Sequence, residues 1–293
     1  MYFPDNSEIG AEVLSVVSIT VLSTLFGLKC ASIESRISYS QQLVLTVIGI
    51  SIGFDLIACM LTSTNNRNYV ACLLSVLHCT FIYTAAKIAV YLYFIEKIYI
   101  LSASKKPRFR SILYIISLGL LLPHVAIVIL MVVYRVVDVS EQFPFVCTIG
   151  YEMPASIACT AYEAFINLYF LSIFAKFIIH PNHKQHTSPM SHIITIESKR
   201  NFVGVLSSFV ASCANYALMV GFDGRERGLV AMSISTADLS IVACIIFWIS
   251  AHPDEEHNLI KGLGQFDENL PVKLAIKQHQ EVVIETEPAT HGL

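Results

Sequence analysis

VACLLSVLHCTFIYTAAKIAVYLYFIEKIYIL, residues 70–101, is a largely apolar run of 32 residues whose only Asp, Glu, Lys or Arg residues are Lys87, Glu96 and Lys97. A helix rises about 1.5 Å per residue, and the hydrocarbon core of a bilayer is about 30 Å thick. The run is therefore long enough to span a membrane and project beyond it. Six further runs stand on either side: Glu12–Leu28, Leu43–Thr62, Ile112–Val133, Ala155–Ile179, Phe202–Val220 and Leu229–Ile249. Lipid cannot satisfy open backbone donors and acceptors, and no even set of alternating strands is visible, so the runs read as helices. Phe202–Val220 is the weakest, because it carries Ser207, Ser208, Ser212 and Asn215. The expected fold is an all-α, polytopic membrane protein built as a seven-transmembrane-helix bundle over residues 1–250, followed by a tail over 251–293.

Composition agrees. Of the 293 residues, 55% are apolar and 14% charged. A soluble domain carries roughly 25% charged residues, so much of this surface must face lipid. The net charge of −3 argues against nucleic acid as a partner.

Lysines and arginines set the orientation, since they accumulate in cytoplasmic loops. One side holds eleven: Lys29, Arg36, Lys97, Lys105, Lys106, Arg108, Arg110, Lys176, Lys184, Lys199 and Arg200. The other holds Arg67, Arg135, Arg225 and Arg227. The expected N-terminus is outside and the C-terminal tail is cytoplasmic. No cleavable signal peptide is expected, because Asp5, Glu8 and Glu12 precede the first run where a signal needs basic residues. Leu259, Ile260 and Leu263 can form one amphipathic turn along the membrane surface. Beyond Pro271 the composition reads as disordered.

Eight cysteines are present without metal-ligand spacing. Cys30, Cys59, Cys79, Cys159, Cys213 and Cys244 lie in or beside apolar runs and read as small hydrophobes. Cys72 opens the third span on the outer side, and Cys147 lies in the longest outer loop, about Tyr134 to Pro154. They are two free thiols or a disulfide; an oxidising compartment favours the bond. Glu96 follows Cys72 by 24 residues, about 36 Å along a helix, and begins Glu96-Lys97-Ile98-Tyr99.

This constellation resembles the rhodopsin-like G-protein-coupled receptors, and the chain is also similar to uncharacterised seven-helix receptor-like proteins of fungi. Cys72 and Cys147 resemble the receptor cysteine pair, Glu96 and Lys97 the acidic-Arg-Tyr triplet, and Asp55 the acidic residue of the second helix. The resemblance implies a plasma-membrane receptor for an unknown small-molecule ligand, with a heterotrimeric G protein contacting Glu96 and Lys97. Departures are plain. Lys97 stands in place of Arg, and Asp238-Leu239-Ser240-Ile241-Val242 stands where Asn-Pro-x-x-Tyr is expected. Cys79 occupies the position of the amine-binding Asp, and the seventh span has no Lys to hold retinal.

Four charges fall inside spans: Asp55, Lys87, Glu163 and Asp238. Charges at such depth face the bundle interior and find partners. Under the receptor resemblance Glu163 is the expected partner of Lys87, and Asp55 is expected to face Asp238, with one of the two protonated or a cation between them. The four form either an ion- or proton-sensitive switch or a static pairing that fixes helix register. They also suit a rival function, a proton- or ion-coupled transporter, although no internal repeat of the transporter kind is visible. A non-signalling membrane scaffold is the remaining reading. His180, His183, His186 and His192 lie in a Pro-containing inner loop and are not expected to bind metal. Thr187 and Ser188-Pro189 offer phosphorylation sites there, and Lys105, Lys106, Arg108 and Arg110 can meet anionic headgroups. No enzyme motif is present, and no cofactor is implied.

Overall fold

A computed structural model describes residues 6–32, 37–64, 68–102, 107–140, 147–179, 189–221 and 226–251. The expected tail features, His180, His183, His186, Thr187, Ser188, Lys105 and Lys106 lie outside the described residues. The chain is a mostly helical, multi-pass membrane protein. Six of its helical segments are long and apolar enough to cross a bilayer: Ser7–Ala31, Tyr39–Thr64, Tyr69–Leu101, Ile112–Val133, Met153–Ile179 and Gly228–Ile249. Their outward faces carry Val13, Val17, Met60, Leu122, Val125 and Phe165, all more than half exposed. A water-soluble monomer rarely shows so continuous an apolar surface.

The elements run α1 (Asn6–Ala31), α2 (Tyr39–Thr64), α3 (Tyr69–Leu101), a short 3-10 turn (Arg108–Arg110), α4 (Ile112–Gly119), α5 (Pro123–Val133), β1 (Arg135–Val139), β2 (Cys147–Tyr151), α6 (Met153–Ile179), α7 (Pro189–Gly221), β3 (Glu226–Arg227) and α8 (Gly228–Ile249). Most helices overrun the apolar run that announced them. Asn68 shows why for α3: its side chain accepts from the Val70 and Ala71 amides at 3.0 and 3.3 Å and caps the helix. α7 stands apart. It begins in a polar stretch with Glu197, Lys199 and Arg200, and its apolar part carries the serines and Asn215 noted above.

α3 is the hub. It packs against α2, α4, α5, α6, α7 and α8, and Tyr91, Tyr93, Phe94, Ile95 and Ile98 are fully enclosed. α1 and α2 close the ring on α8, where Lys29 donates to the Ser250 carbonyl at 2.8 Å and neutralises the C-terminal end of α8. At α7–α8 a Cβ on Gly204 would collide with Ile249 Cδ1, so the missing side chain permits that approach.

The fourth apolar run is one span made of two helices. Pro123 has no N–H to continue α4, and the chain tightens through Leu121 and Leu122 into 3-10 bonds. His124 bonds to the Leu121 carbonyl, not that of Leu120. The Leu120 carbonyl is thereby released, and the Tyr162 hydroxyl donates to it.

One end of the bundle carries a small antiparallel sheet of order β1-β2-β3, which the helix-only expectation did not contain. Arg135 pairs with Tyr151 and Val139 with Cys147, while Ile149 pairs with Glu226. In β2 the alternate residues Cys147, Ile149 and Tyr151 are buried against the bundle. Cys72 and Cys147 are joined, with Cα atoms 5.9 Å apart, so this strand is tied to the first turn of α3. The other end, where Lys29, Lys97, Arg108 and Arg200 lie, is the basic end.

Candidate functional site

Below the sheet, α3, α5, α6, α7 and α8 enclose a cavity of about 780 Å³, its mouth included. Ile149, Gly150 and Tyr151 of β2 line it from the sheet side; Tyr83, Lys87 and Glu163 line it deeper. Tyr151 is fixed by a 2.9 Å hydrogen bond between its hydroxyl and that of Thr80 on α3. The disulfide therefore positions a wall of the cavity and not only a loop.

Two charged groups of residues meet in the core. In the first, Lys87 Nζ lies 2.8 Å from Asp238 Oδ2, and both side chains are all but inaccessible, at 2% and 1% exposure. Lys87 also donates to Ser212 Oγ at 2.6 Å. Tyr83 donates to Asp238, and Asn215 Nδ2 donates to the Tyr83 hydroxyl at 3.0 Å. In the second, Tyr91 donates to Glu163 Oε2, while His124 Nε2 stands 3.7 Å from Glu163 Oε1. Asn167 Nδ2 donates to the Tyr91 hydroxyl at 3.1 Å, and the Tyr162 hydroxyl lies 3.0 Å from His124 Nδ1. Charges taken from water to such depth persist only when paired and hydrogen-bonded, and both groups meet that condition.

Two expected pairings are corrected. Lys87 is matched by Asp238 and not by Glu163, whose partners are Tyr91 and His124. Asp55 does not share a site with Asp238; its Oδ2 accepts from Ser240 at 3.2 Å. Helical phase explains the separation. Asp238 and Ser240 are two residues apart on α8, about 200° around the axis, so one looks to α3 and the other to α2. Asp55 Oδ1 and Asp238 Oδ1 are buried and have no hydrogen-bond partner among the described residues.

At the basic end, Glu96 and Lys97 are both buried and reach different elements. Arg108 bonds Glu96 at 2.8 Å, and its guanidinium lies over the rings of Tyr39 and Tyr99 at 5.0 and 5.9 Å. Lys97 Nζ stands 3.9 Å from Glu197 Oε2 on α7. Glu197 is further held by Arg200 at 3.8 Å and by Asn201 Nδ2 at 3.3 Å.

Several participants were not singled out from sequence: Tyr83, Tyr91, His124, Asn167, Ser212, Asn215 and Glu197. Some left a signal. Ser208, Ser212 and Asn215 recur at helical spacing and mark one face of α7. His124 directly follows Pro123, the proline inside the fourth apolar run.

Fold and lining together define a multi-pass helical membrane protein with a charged interior cavity. No family model matches the chain, and no curated protein is similar to it in sequence.

Proposed function

We propose that the protein is a receptor of seven spanning helices, with α7 as the sixth span, its N-terminus outside and its tail in the cytoplasm. The small-molecule ligand binds from the outer side in the cavity beneath β2, in contact with Tyr83, Lys87 and Glu163. Its signal passes along α3 to the buried Glu96 and Lys97, whose contacts with Arg108 and Glu197 set the surface that a heterotrimeric G protein binds at the plasma membrane. The observation that carries this reading is the build of α3. One rigid helix lines the cavity, holds the disulfide at its top and ends in the Lys97–Glu197 contact with α7. A ligand that displaces α7 relative to α3 has a two-state contact to act on at the far end. The test is capture of Gα by the purified protein without nucleotide and its release by a GTP analogue. Loss of capture in Glu96→Ala and Lys97→Ala is expected, and no capture by wild type refutes the coupling.

A proton-coupled transporter is the second reading. It is supported by the buried Lys87–Asp238 and His124–Glu163 pairs, of which Lys87, His124 and Glu163 line one cavity. Proton flux into liposomes, dependent on Asp238 and Glu163, distinguishes it.

A further inference from the structure

A second cavity lies in the seam between α6 and α7, lined by Thr160, Glu163, Ala164 and Asn167 on one side and by Phe209, Ser212, Cys213, Tyr216 and Ala217 on the other. It spans about 540 Å³, its mouth included, within the range of small-molecule sites. Cys213 and Ala217 at its edge are exposed. In an apolar bundle of this kind that edge faces the acyl chains. Small side chains, Thr160, Ala164, Cys213 and Ala217, hold the seam open. The inner wall is different in kind. Asn167 is 1% exposed, and its amide nitrogen is fully used by the Tyr91 hydroxyl and the Glu163 carbonyl. Its Oδ1 is buried with no hydrogen-bond partner among the described residues. A buried acceptor left unmatched costs free energy that a donor brought by a ligand recovers.

We infer that the α6–α7 cavity binds a hydroxyl-bearing lipid from the bilayer, whose headgroup hydroxyl donates to Asn167 Oδ1 while its apolar body lies along the seam past Ala164 and Cys213. A neutral hydroxyl fits better than a charged head. The cavity is nearly all apolar, and its carboxylate, Glu163, is already matched by Tyr91 and His124. A second ion would have to be desolvated with no free counter-charge to meet it. Asn167 bonds to Tyr91, nineteen residues after Cys72 on α3, about 28 Å down that helix. The head must therefore reach well below the sheet end, and the lateral seam gives a hydrophobic molecule a route that does not pass through water. Glu163 and Tyr216 line both this cavity and the larger one, so an occupied seam presses on the wall that the two share. The assignment does not need a G protein, but it does rest on the part of the proposed function that makes α7 a membrane span.

The test is photolabelling of the full-length protein in nanodiscs with two alkyne-tagged diazirine lipids: a sterol and a monoacylglycerol, each with its hydroxyl free. Competition uses the untagged parent and its methyl ether. Labelling concentrated within residues 160–167 and 209–217 is expected, with the free-hydroxyl parent competing about tenfold better than the ether, the worth of one hydrogen bond to a buried neutral acceptor. Which probe labels tells a ring lipid from a chain lipid. Asn167→Leu should erase the difference between parent and ether, and Ala217→Phe at the exposed mouth should cut labelling about tenfold. Should Asn167→Leu fail to fold, Ala217→Phe and the ether comparison decide. Labelling spread evenly over the lipid-facing helices, or equal competition by parent and ether, overturns the assignment.

Discussion

Lys87 and Asp238 make the sharpest quantitative prediction. Each is almost completely buried, and their charged atoms are 2.8 Å apart. Lys87→Met removes the cation while Asp238 keeps only the Tyr83 hydroxyl on Oδ2 and nothing on Oδ1 among the described residues. Breaking a buried pair by deleting one member costs about 3–5 kcal/mol, because the surviving charge is stranded. Asp238→Asn leaves the ammonium with Ser212 and the face of the Tyr83 ring but no carboxylate within salt-bridge distance among the described residues, and should cost a similar amount. In Lys87→Met/Asp238→Asn neither charge remains, so the loss should fall to about 1–2 kcal/mol, the worth of the lost hydrogen bonds. The double-mutant cycle should therefore return a coupling of several kcal/mol. The assay is thermal unfolding in one detergent. At roughly 2–4 °C per kcal/mol for a chain of this size, each single variant should fall by about 10 °C and the double variant by less than half of that. Additive losses, with the double variant as unstable as the two singles summed, would show that the pair is not a closed unit.

Further outcomes follow from the same geometry. Reducing Cys72–Cys147, which closes a loop of 75 residues, should cost about 4 kcal/mol by chain entropy; a matching fall in Tm under reductant, absent in Cys72→Ser/Cys147→Ser, checks it. Asp55→Asn should be neutral or stabilising, because Ser240 still finds an acceptor and a buried charge is removed; a loss above about 2 kcal/mol in the same unfolding assay would point to an undescribed cationic partner. Gly204→Leu should destabilise by about 1–3 kcal/mol through overpacking against Ile249 and Ile245, and no change in Tm would mean that α7 and α8 part easily. Lys97→Ala should loosen α7 from α3 at the basic end, read as faster amide exchange around Glu197 than in wild type.

Six of the helical segments were legible because lipid imposes length and apolarity on them, and Val70–Leu101 was recovered almost to the residue, whereas α7 begins at Pro189, well before the Phe202–Val220 run. The β1–β2–β3 sheet was not legible, since a five-residue strand such as Arg135–Val139 merely continues the apolar run before it. Pro123 marked the break between α4 and α5, but only the fold shows that it frees the Leu120 carbonyl for Tyr162. Asp55, Lys87, Glu163 and Asp238 announced themselves as charges in apolar runs. Their partners did not, because pairing depends on helix rotation: Asp238 turns to Lys87 while Ser240, two residues on, turns to Asp55. Tyr83, Tyr91 and Asn167 look like ordinary interior residues in sequence, and their role appears only when carboxylates from other helices reach them.

The most direct measurement is nucleotide exchange on purified heterotrimeric G proteins by the protein in nanodiscs, with proton flux recorded on the same preparation in liposomes. The receptor account predicts exchange above the G-protein-only rate, lost in Lys97→Ala and Glu96→Ala, with no proton flux. Proton flux that vanishes in Asp238→Asn or Glu163→Gln, with no exchange on any Gα, would contradict it and move the protein to the transporters.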